Sequence, residues 1–414
     1  MATRSCKFTK RVAPFSLAAG ERAGRPLILA CITLLSVNKS QVRAADLTAS
    51  SPLFLNAASA LPLAAGRPMN AAVQCVHPQS QPGWDAWVAS QPHGSFFHGA
   101  AWAAVLESTY GFTPNYFTLP AAGGPQSVLP MMEVDSWLTG RRGVALPFTD
   151  DCEPLVADAE SFKSLLQSVL AFGRSRQWKY VEFRGGRQWF GEVPASLSFH
   201  AHELDLTGDE AALFNRVDGS VRRAIKKAEK AGVTVEVSNT LEAVRHFYSL
   251  LGQTRRKHGL PPQPFAFFQN IHQYILAQNL GTVVLAKLAG RPIAGAVYFG
   301  LGNRAIYKYG ASDEQFQALR GNNLVMWEAI KWHARQGFKT LHLGRTSLGN
   351  EGLRRFKLGW GATEQRIDYV KYDLRHDRFL TDKDESSGWH NQLFNRLPIF
   401  LSRMIGAGLY QHWA

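Results

Sequence analysis

Three strand-like runs follow one another at 281–288, 293–301 and 304–310, separated only by Ala289-Gly290-Arg291-Pro292 and Gly302-Asn303. Gly and Asn tolerate the positive φ that tight hairpins need, so the segment reads as a β-meander. A helix-like run then opens at Arg320-Gly321-Asn322-Asn323 and continues to Gln336, and another strand is expected at 340–343. A meander followed by a helix and a strand must be layered helix on sheet, which excludes an all-helical or an all-β fold.

The same alternation runs through the chain from Met69, so the fold class is α/β (α+β). Further helices are expected at 102–110, 160–176, 210–231, 241–257 and 264–278, and further strands at 127–134, 180–183, 200–206 and 233–237. A seam is expected at Leu206-Thr207-Gly208-Asp209, where a polar capping stretch opens a long helix after an alternating strand. It divides the body into 69–206 and 207–380, with 381–414 as a tail.

Residues 1–68 differ from the rest. They contain no Trp and no Tyr, and their nine Lys/Arg against two Asp/Glu supply half of the net charge of +14. A basic start, the apolar run Leu27 to Val37 and Val42-Arg43-Ala44 resemble a secretory signal, but the basic lead is long and polar Asn38-Lys39-Ser40-Gln41 intervene. An unstructured extension, or translation beginning at Met69, is the expectation. The remaining body is only mildly basic, and the chain as a whole, with 45% hydrophobic and 19% charged residues, has the composition of a globular protein. The four cysteines, Cys6, Cys31, Cys75 and Cys152, form no CxxC pair, and neither a disulfide framework nor a metal site is expected.

Tyr307 to Arg320 (YKYGASDEQFQALR), Trp327-Glu328-Ala329-Ile330, Leu343-Gly344-Arg345-Thr346-Ser347 and Arg355-Phe356-Lys357-Leu358-Gly359-Trp360-Gly361 together resemble the FemAB-like branch of the acetyltransferase (GNAT) superfamily. Phe96-Phe97-His98, Trp102, Tyr110-Gly111, Gly140-Arg141-Arg142 and Leu146-Pro147-Phe148 match that family's amino-terminal half, so the resemblance covers about 80–375. It is nearest to the FemAB-related type found with bacterial exopolysaccharide and PEP-CTERM loci. The resemblance implies two GNAT-like lobes, each a mixed, mainly antiparallel sheet flanked by helices, sharing a cleft. It also implies transfer of an acyl or aminoacyl group onto an amine of a cell-envelope or exopolysaccharide precursor, and a role for Lys357 at the transfer centre. Substrate contacts are implied for Phe356, Trp360, Tyr309, Arg320 and Asn323.

The chemistry follows from the residues. Attack of a neutral amine on an ester or thioester builds negative charge on the carbonyl oxygen, so fixed donors matter more than a covalent nucleophile. Lys357, between aromatic residues and near glycines, is the first candidate donor. Arg345, after a strand and a glycine, is placed to clamp a phosphate or carboxylate. His342 stands where relatives carry an acidic residue, and with Glu328 it is a candidate base. His258, at the end of a basic helix terminus, is a further, minor candidate. Ala318 and Asn323 fit poorly to the glycine-rich loop with which ordinary GNAT enzymes hold coenzyme A. The donor therefore stays open between acyl-CoA and aminoacyl-tRNA, neither tightly bound.

Arg222, Arg223 and Lys226, with Lys227 and Lys230, recur at three- and four-residue spacing as one basic helical face suited to tRNA phosphates, a lipid carrier or a pyrophosphate. The tail's apolar residues, from Leu393 and Leu397 through Phe400, Met404 and Leu409, form an amphipathic helix expected to pack on the body, with a membrane surface as the alternative. The expected partner is an amine-bearing glycan or lipid-linked precursor, and the expected location the cytoplasm or the inner face of the membrane. Two other readings stand beside the N-acyltransferase: an aminoacyl-tRNA-dependent peptidyltransferase acting on a peptidoglycan precursor, and a catalytically decayed glycan- or lipid-carrier-binding protein.

Overall fold

The computed structural model describes residues 72–121, 124–382 and 398–413; the extension expected over 1–68, and Leu393 and Leu397 of the tail, lie outside these. In chain order the first part holds β1 (Gln74–Val76), α1 (Trp84–Ser90), α2 (Ala100–Tyr110), β2 (Thr113–Ala121), β3 (Gly124–Val134), β4 (Arg142–Val144), α3 (Ala159–Ser175), β5 (Tyr180–Arg184) and β6 (Leu197–Asp205). The second holds α4 (Glu210–Arg216), α5 (Gly219–Lys230), β7 (Thr234–Ser238), α6 (Leu241–Lys257), α7 (Phe265–Tyr274), β8 (Gly281–Leu288), β9 (Arg291–Leu301) and β10 (Arg304–Ser312). It continues with α8 (Gly321–Arg335), β11 (Thr340–Ser347), α9 (Glu351–Leu358), β12 (Thr363–Asp373), β13 (Arg378–Leu380) and α10 (Ile399–Leu409).

The strands join in the order β1-β2-β3-β4-β5-β12-β6-β11-β10-β9-β8-β7, with β13 on β12. One unit occurs twice: an antiparallel pair, a helix, then a strand parallel to the second of the pair. It is β3, β4, α3 and β5 in the first half and β9, β10, α8 and β11 in the second. The protein is thus two GNAT-like lobes whose sheets run into one another. β12 ties them, pairing with β5 of the first and with β6.

The meander shows why its sequence is so uniformly apolar. Val283, Leu285, Val297 and Phe299 point into a core built with α2, α6 and α7, while Val284, Ala286, Ala296 and Tyr298 point into another built with α4, α5 and α8. Strands covered on both faces have no solvent side to make polar. Helix α3 covers the first lobe with Phe162, Leu165, Leu166, Val169 and Leu170, at helical spacing, and its Asp158 cap accepts from the Ser161 amide at 2.7 Å. Among the described residues no helix is long and apolar enough to cross a membrane.

Two expectations are corrected. The helix expected over 210–231 is two helices, because Val217 is extended and the Asp218 amide donates to the Gly359 carbonyl at 2.9 Å. The helix expected over 264–278 ends at Tyr274 and finishes as a 3-10 turn, Leu276–Gln278. Strands β2 and β12 were not anticipated.

Candidate active site

Strands β10 and β11 pair only over Arg304–Ile306 and Thr340–His342, although both run on for several residues. Each is deflected by an irregularity there. The β9–β10 register shifts between Tyr307 and Tyr309, leaving Lys308 as the extra residue, and the β6–β11 register shifts between His342 and Arg345 around Gly344, whose φ is 74°. Past Ile306 and His342 the two strands part. Beside the opening lies the loop after β4, where Leu146 and Phe148 hold φ of 55° and 60°, a conformation costly for side chains of this kind.

That loop delivers Asp150, whose Oδ2 lies 3.0 Å from the Lys308 Nζ. Burial alone would raise the carboxyl, but Lys308, Arg345 and His342 hold it down to about 2, so it stays ionised. Lys308 sits over the Phe97 ring at 4.9 Å; burial lowers its ammonium and Asp150 partly restores it.

Lys357 comes from the last turn of α9. Its Nζ donates to the carbonyls of Gly344 (2.7 Å) and Arg345 (3.0 Å), the two residues of the β11 irregularity. Two of its three protons are spent on the bulge and one remains to offer. Burial brings its pKa down to about 8; Asp150 opposes that fall and Lys308 adds to it. His342 accepts the Gly344 amide at Nδ1 (3.1 Å), so the neutral ring carries its proton on Nε2, which is buried with no partner among the described residues. Burial lowers this ring to about 4, which keeps it neutral at physiological pH.

Arg345 packs over the Phe199 ring at 4.3 Å and donates from Nη1 to the Tyr369 hydroxyl at 2.6 Å, which in turn donates to the Asp150 carbonyl at 2.7 Å. Tyr369 is pushed up to about 12 by burial, with Arg345 and Arg184 pulling the other way, and it remains a phenol. Beneath it Arg184 and Glu182 form a buried pair at 2.8 Å that is neutral overall. Lys308, Lys357 and Arg345 therefore surround one carboxylate, and the cleft carries an excess of positive charge in a poorly hydrated setting. Such a site favours an anion, permanent or forming.

Of the residues singled out from the sequence, the structure brings Lys357, His342 and Arg345 together and adds Asp150, Lys308 and Tyr369. Phe356 and Trp360 stand at 6.1 Å edge to face and pack in the core of the second lobe, where Trp360 is fully buried. They anchor α9, so that Lys357 between them is aimed at the bulge. Tyr309 is buried against Phe267 and Phe268, its hydroxyl has no partner among the described residues, and burial raises that hydroxyl. Arg320 caps α8 with φ of 62°, and the Asn323 amide donates to its carbonyl at 2.9 Å.

Glu328 pairs with Lys331 at 2.7 Å on the outer side of α8 and makes no described contact with the cluster. Arg222, Arg223 and Lys226 lie on the outer face of α5, with no carboxylate partner among the described residues; Arg222 lies over Phe214 at 6.0 Å. His258 caps the C-terminus of α6, and burial and Arg255 lower it. For two of the three missed groups the sequence carried only a weak local sign. Lys308 is the one charge within the run 305–312 of β10, and Asp150 follows the Leu146-Pro147-Phe148 stretch that matches the family.

Residues 215–364 match the family model of the acetyltransferase (GNAT) domain. The match lies within the second lobe. The matched residues contain Lys308, His342, Arg345 and Lys357, whereas Asp150 comes from the other lobe. No curated protein matches the chain. Among solved structures, FemX superposes with a TM-score of 0.58 at 16% identity, covering 72% of this chain and 96% of that one, a likeness of fold. The C-terminal domain of a putative lysylphosphatidylglycerol synthetase from Agrobacterium fabrum aligns at 14% identity, TM-score 0.45, over 69% of this chain and 91% of that one. A tandem GNAT protein from the clavulanic acid biosynthesis pathway aligns at 10% identity, TM-score 0.47, over 73% and 98%.

Proposed function

We propose that the protein is an N-acyltransferase that moves an acyl or aminoacyl group onto an amine by direct attack in a ternary complex. The observation that carries this reading is the buried Lys357 ammonium, fixed on the β11 bulge at the point where β10 and β11 part. The amine nitrogen bonds to the donor's carbonyl carbon and the carbonyl electron pair moves to oxygen. The tetrahedral adduct then collapses, the bond to the leaving sulfur or oxygen breaks, and the amine's proton leaves with the departing group. We assign the third Lys357 N–H and the His342 Nε2–H to the developing oxyanion. Asp150 holds the surrounding cations in place, and the unbonded edge of the Arg345 guanidinium receives a phosphate of donor or acceptor. His342 is thereby a donor rather than the base the sequence suggested, and Glu328 has no part in the step.

The resemblance to FemAB-like proteins, and the fold shared with FemX, support an acceptor amine on a cell-envelope precursor, with an exopolysaccharide or PEP-CTERM setting as the narrower form of the proposal. We further propose that the lobes divide near residue 206. An aminoacyl-tRNA donor is the second reading, favoured by Arg222, Arg223 and Lys226 on α5, which have no carboxylate partner among the described residues. Calorimetric titration with acyl-CoAs and with a charged tRNA analogue at two salt concentrations separates the two. Saturable acyl-CoA binding with little salt dependence supports the first. Binding of tRNA alone, weakened by salt and by Arg222→Ala/Lys226→Ala, supports the second. No donor binding, or binding with no transfer to a panel of amines, overturns the enzymatic reading.

A further inference from the structure

Helix α10 is clamped to the body on one side and bare on the other. Its inner face buries Ser402, Ile405, Gly406 and Leu409, and a Cβ on Gly406 would stand 2.0 Å from the Pro262 carbonyl oxygen. Beyond it the Tyr410 hydroxyl donates to the Pro261 carbonyl at 3.1 Å, and Arg142 Nη2 donates to the His412 carbonyl at 2.9 Å. The helix is therefore a fixed part of the surface. Its outer face carries Phe400, Met404 and Ala407, spaced as one stripe along the axis. Phe400 is 62% exposed and Met404 60%, and at the far end Trp137, 71% exposed, meets the His412 ring at 5.4 Å. Only two other large apolar side chains among the described residues, Leu348 and Leu353, are exposed, so this edge holds most of that surface.

Two arginines flank the stripe. A groove alongside it is walled by Tyr248, Pro264, Phe265 and Met404 and carries Arg245 and Arg403. Arg403 lies over the Tyr248 ring at 4.7 Å, and its Nε is buried with no partner among the described residues. Neither arginine has a carboxylate partner among the described residues. An apolar stripe with unneutralised guanidinium groups beside it and a Trp at its end matches the layering of a phospholipid interface, with acyl chains below and phosphates at the level of the arginines. A neutral apolar partner would leave those charges uncompensated, whereas an anionic lipid surface complements them.

We propose that the outer face of α10, with Trp137 and the flanking Arg245 and Arg403, docks on an anionic phospholipid surface. The proposal stands on this surface alone and not on the transfer chemistry. The full chain is sedimented with vesicles of equimolar phosphatidylglycerol and phosphatidylcholine, and with vesicles of phosphatidylcholine only. Binding to the anionic vesicles, reduced by added salt, is expected. Phe400→Ser/Met404→Ser should cut the partition coefficient by about tenfold or more without moving the unfolding midpoint, since both side chains are exposed. Arg245→Gln should lower binding to the anionic vesicles and leave the thermal midpoint in place. Equal binding to both vesicle types, no binding to either, or full binding by the Phe400→Ser/Met404→Ser protein overturns the proposal. So does self-association that the same double substitution abolishes, which would make the face a contact between copies.

Discussion

The charge on Lys357 is set by two opposing neighbours, and this gives the site a pH signature. Burial favours the neutral amine, Asp150 favours the ammonium, and the balance lies at about 8. Below that value the group is protonated and offers its third N–H; above it the ammonium is lost and with it the donor. Transfer, followed as kcat/KM, should therefore fall as pH rises through about 8, after a rising limb from deprotonation of the acceptor amine. Asp150→Asn removes the carboxylate that favours the charged form, so the falling limb should move to lower pH. A limb that stays in place in Asp150→Asn would separate Lys357 from the profile. Rate should also drop, because Lys308 would then lie buried beside a neutral amide in place of its ion partner.

At the scale of elements, the centre depends on two paired irregularities, the extra Lys308 in β10 and the turn at Gly344 in β11. At φ of 74°, a Gly344→Ala side chain would meet the Tyr307 carbonyl oxygen at 3.5 Å and the Asp150 Oδ2 at 3.7 Å, so the space is adequate and the backbone is the obstacle. The substitution should cost about 1–2 kcal/mol of stability by denaturant titration. It should lower transfer more than that loss implies, since it moves the carbonyls that hold Lys357. Activity equal to that of the parent protein would show that the bulge does not position the lysine.

This level also marks what could be read from the sequence. The meander, α8 and β11 were legible because apolar runs and Gly-containing turns are local signals. Lys357, His342 and Arg345 were legible through the motifs around them. Lys308 and Asp150 were not, because their meaning is a contact between residues far apart in the chain, and a lone lysine in a strand carries no local sign of its partner. β12 escaped because its first half, Thr363-Glu364-Gln365-Arg366, is polar and its place is fixed by pairing with β5 and β6. The break at Val217-Asp218 was likewise set by a remote group, the Gly359 carbonyl.

At the scale of the molecule, β12 joins the lobes in one continuous sheet. It brings Val370 and Tyr372 into the first lobe's core and Tyr369 into the centre, although it follows the GNAT lobe's helices in the chain. A chain ending after Leu358 should leave β5 and β6 with open edges, and limited proteolysis should then cut within 113–205; a protected first lobe would show that it folds without β12. The same crossing places Asp150 from one lobe against Lys308, Arg345 and Lys357 of the other, so the centre exists only when both are assembled. The claim that this cluster performs the transfer is tested most directly by the single-turnover rate of Lys357→Ala, with a donor and amine that the parent protein turns over. A rate lower by about 10²–10³ with donor affinity little changed is expected, the loss of one oxyanion donor; a rate equal to that of the parent protein would remove Lys357 from the transfer step.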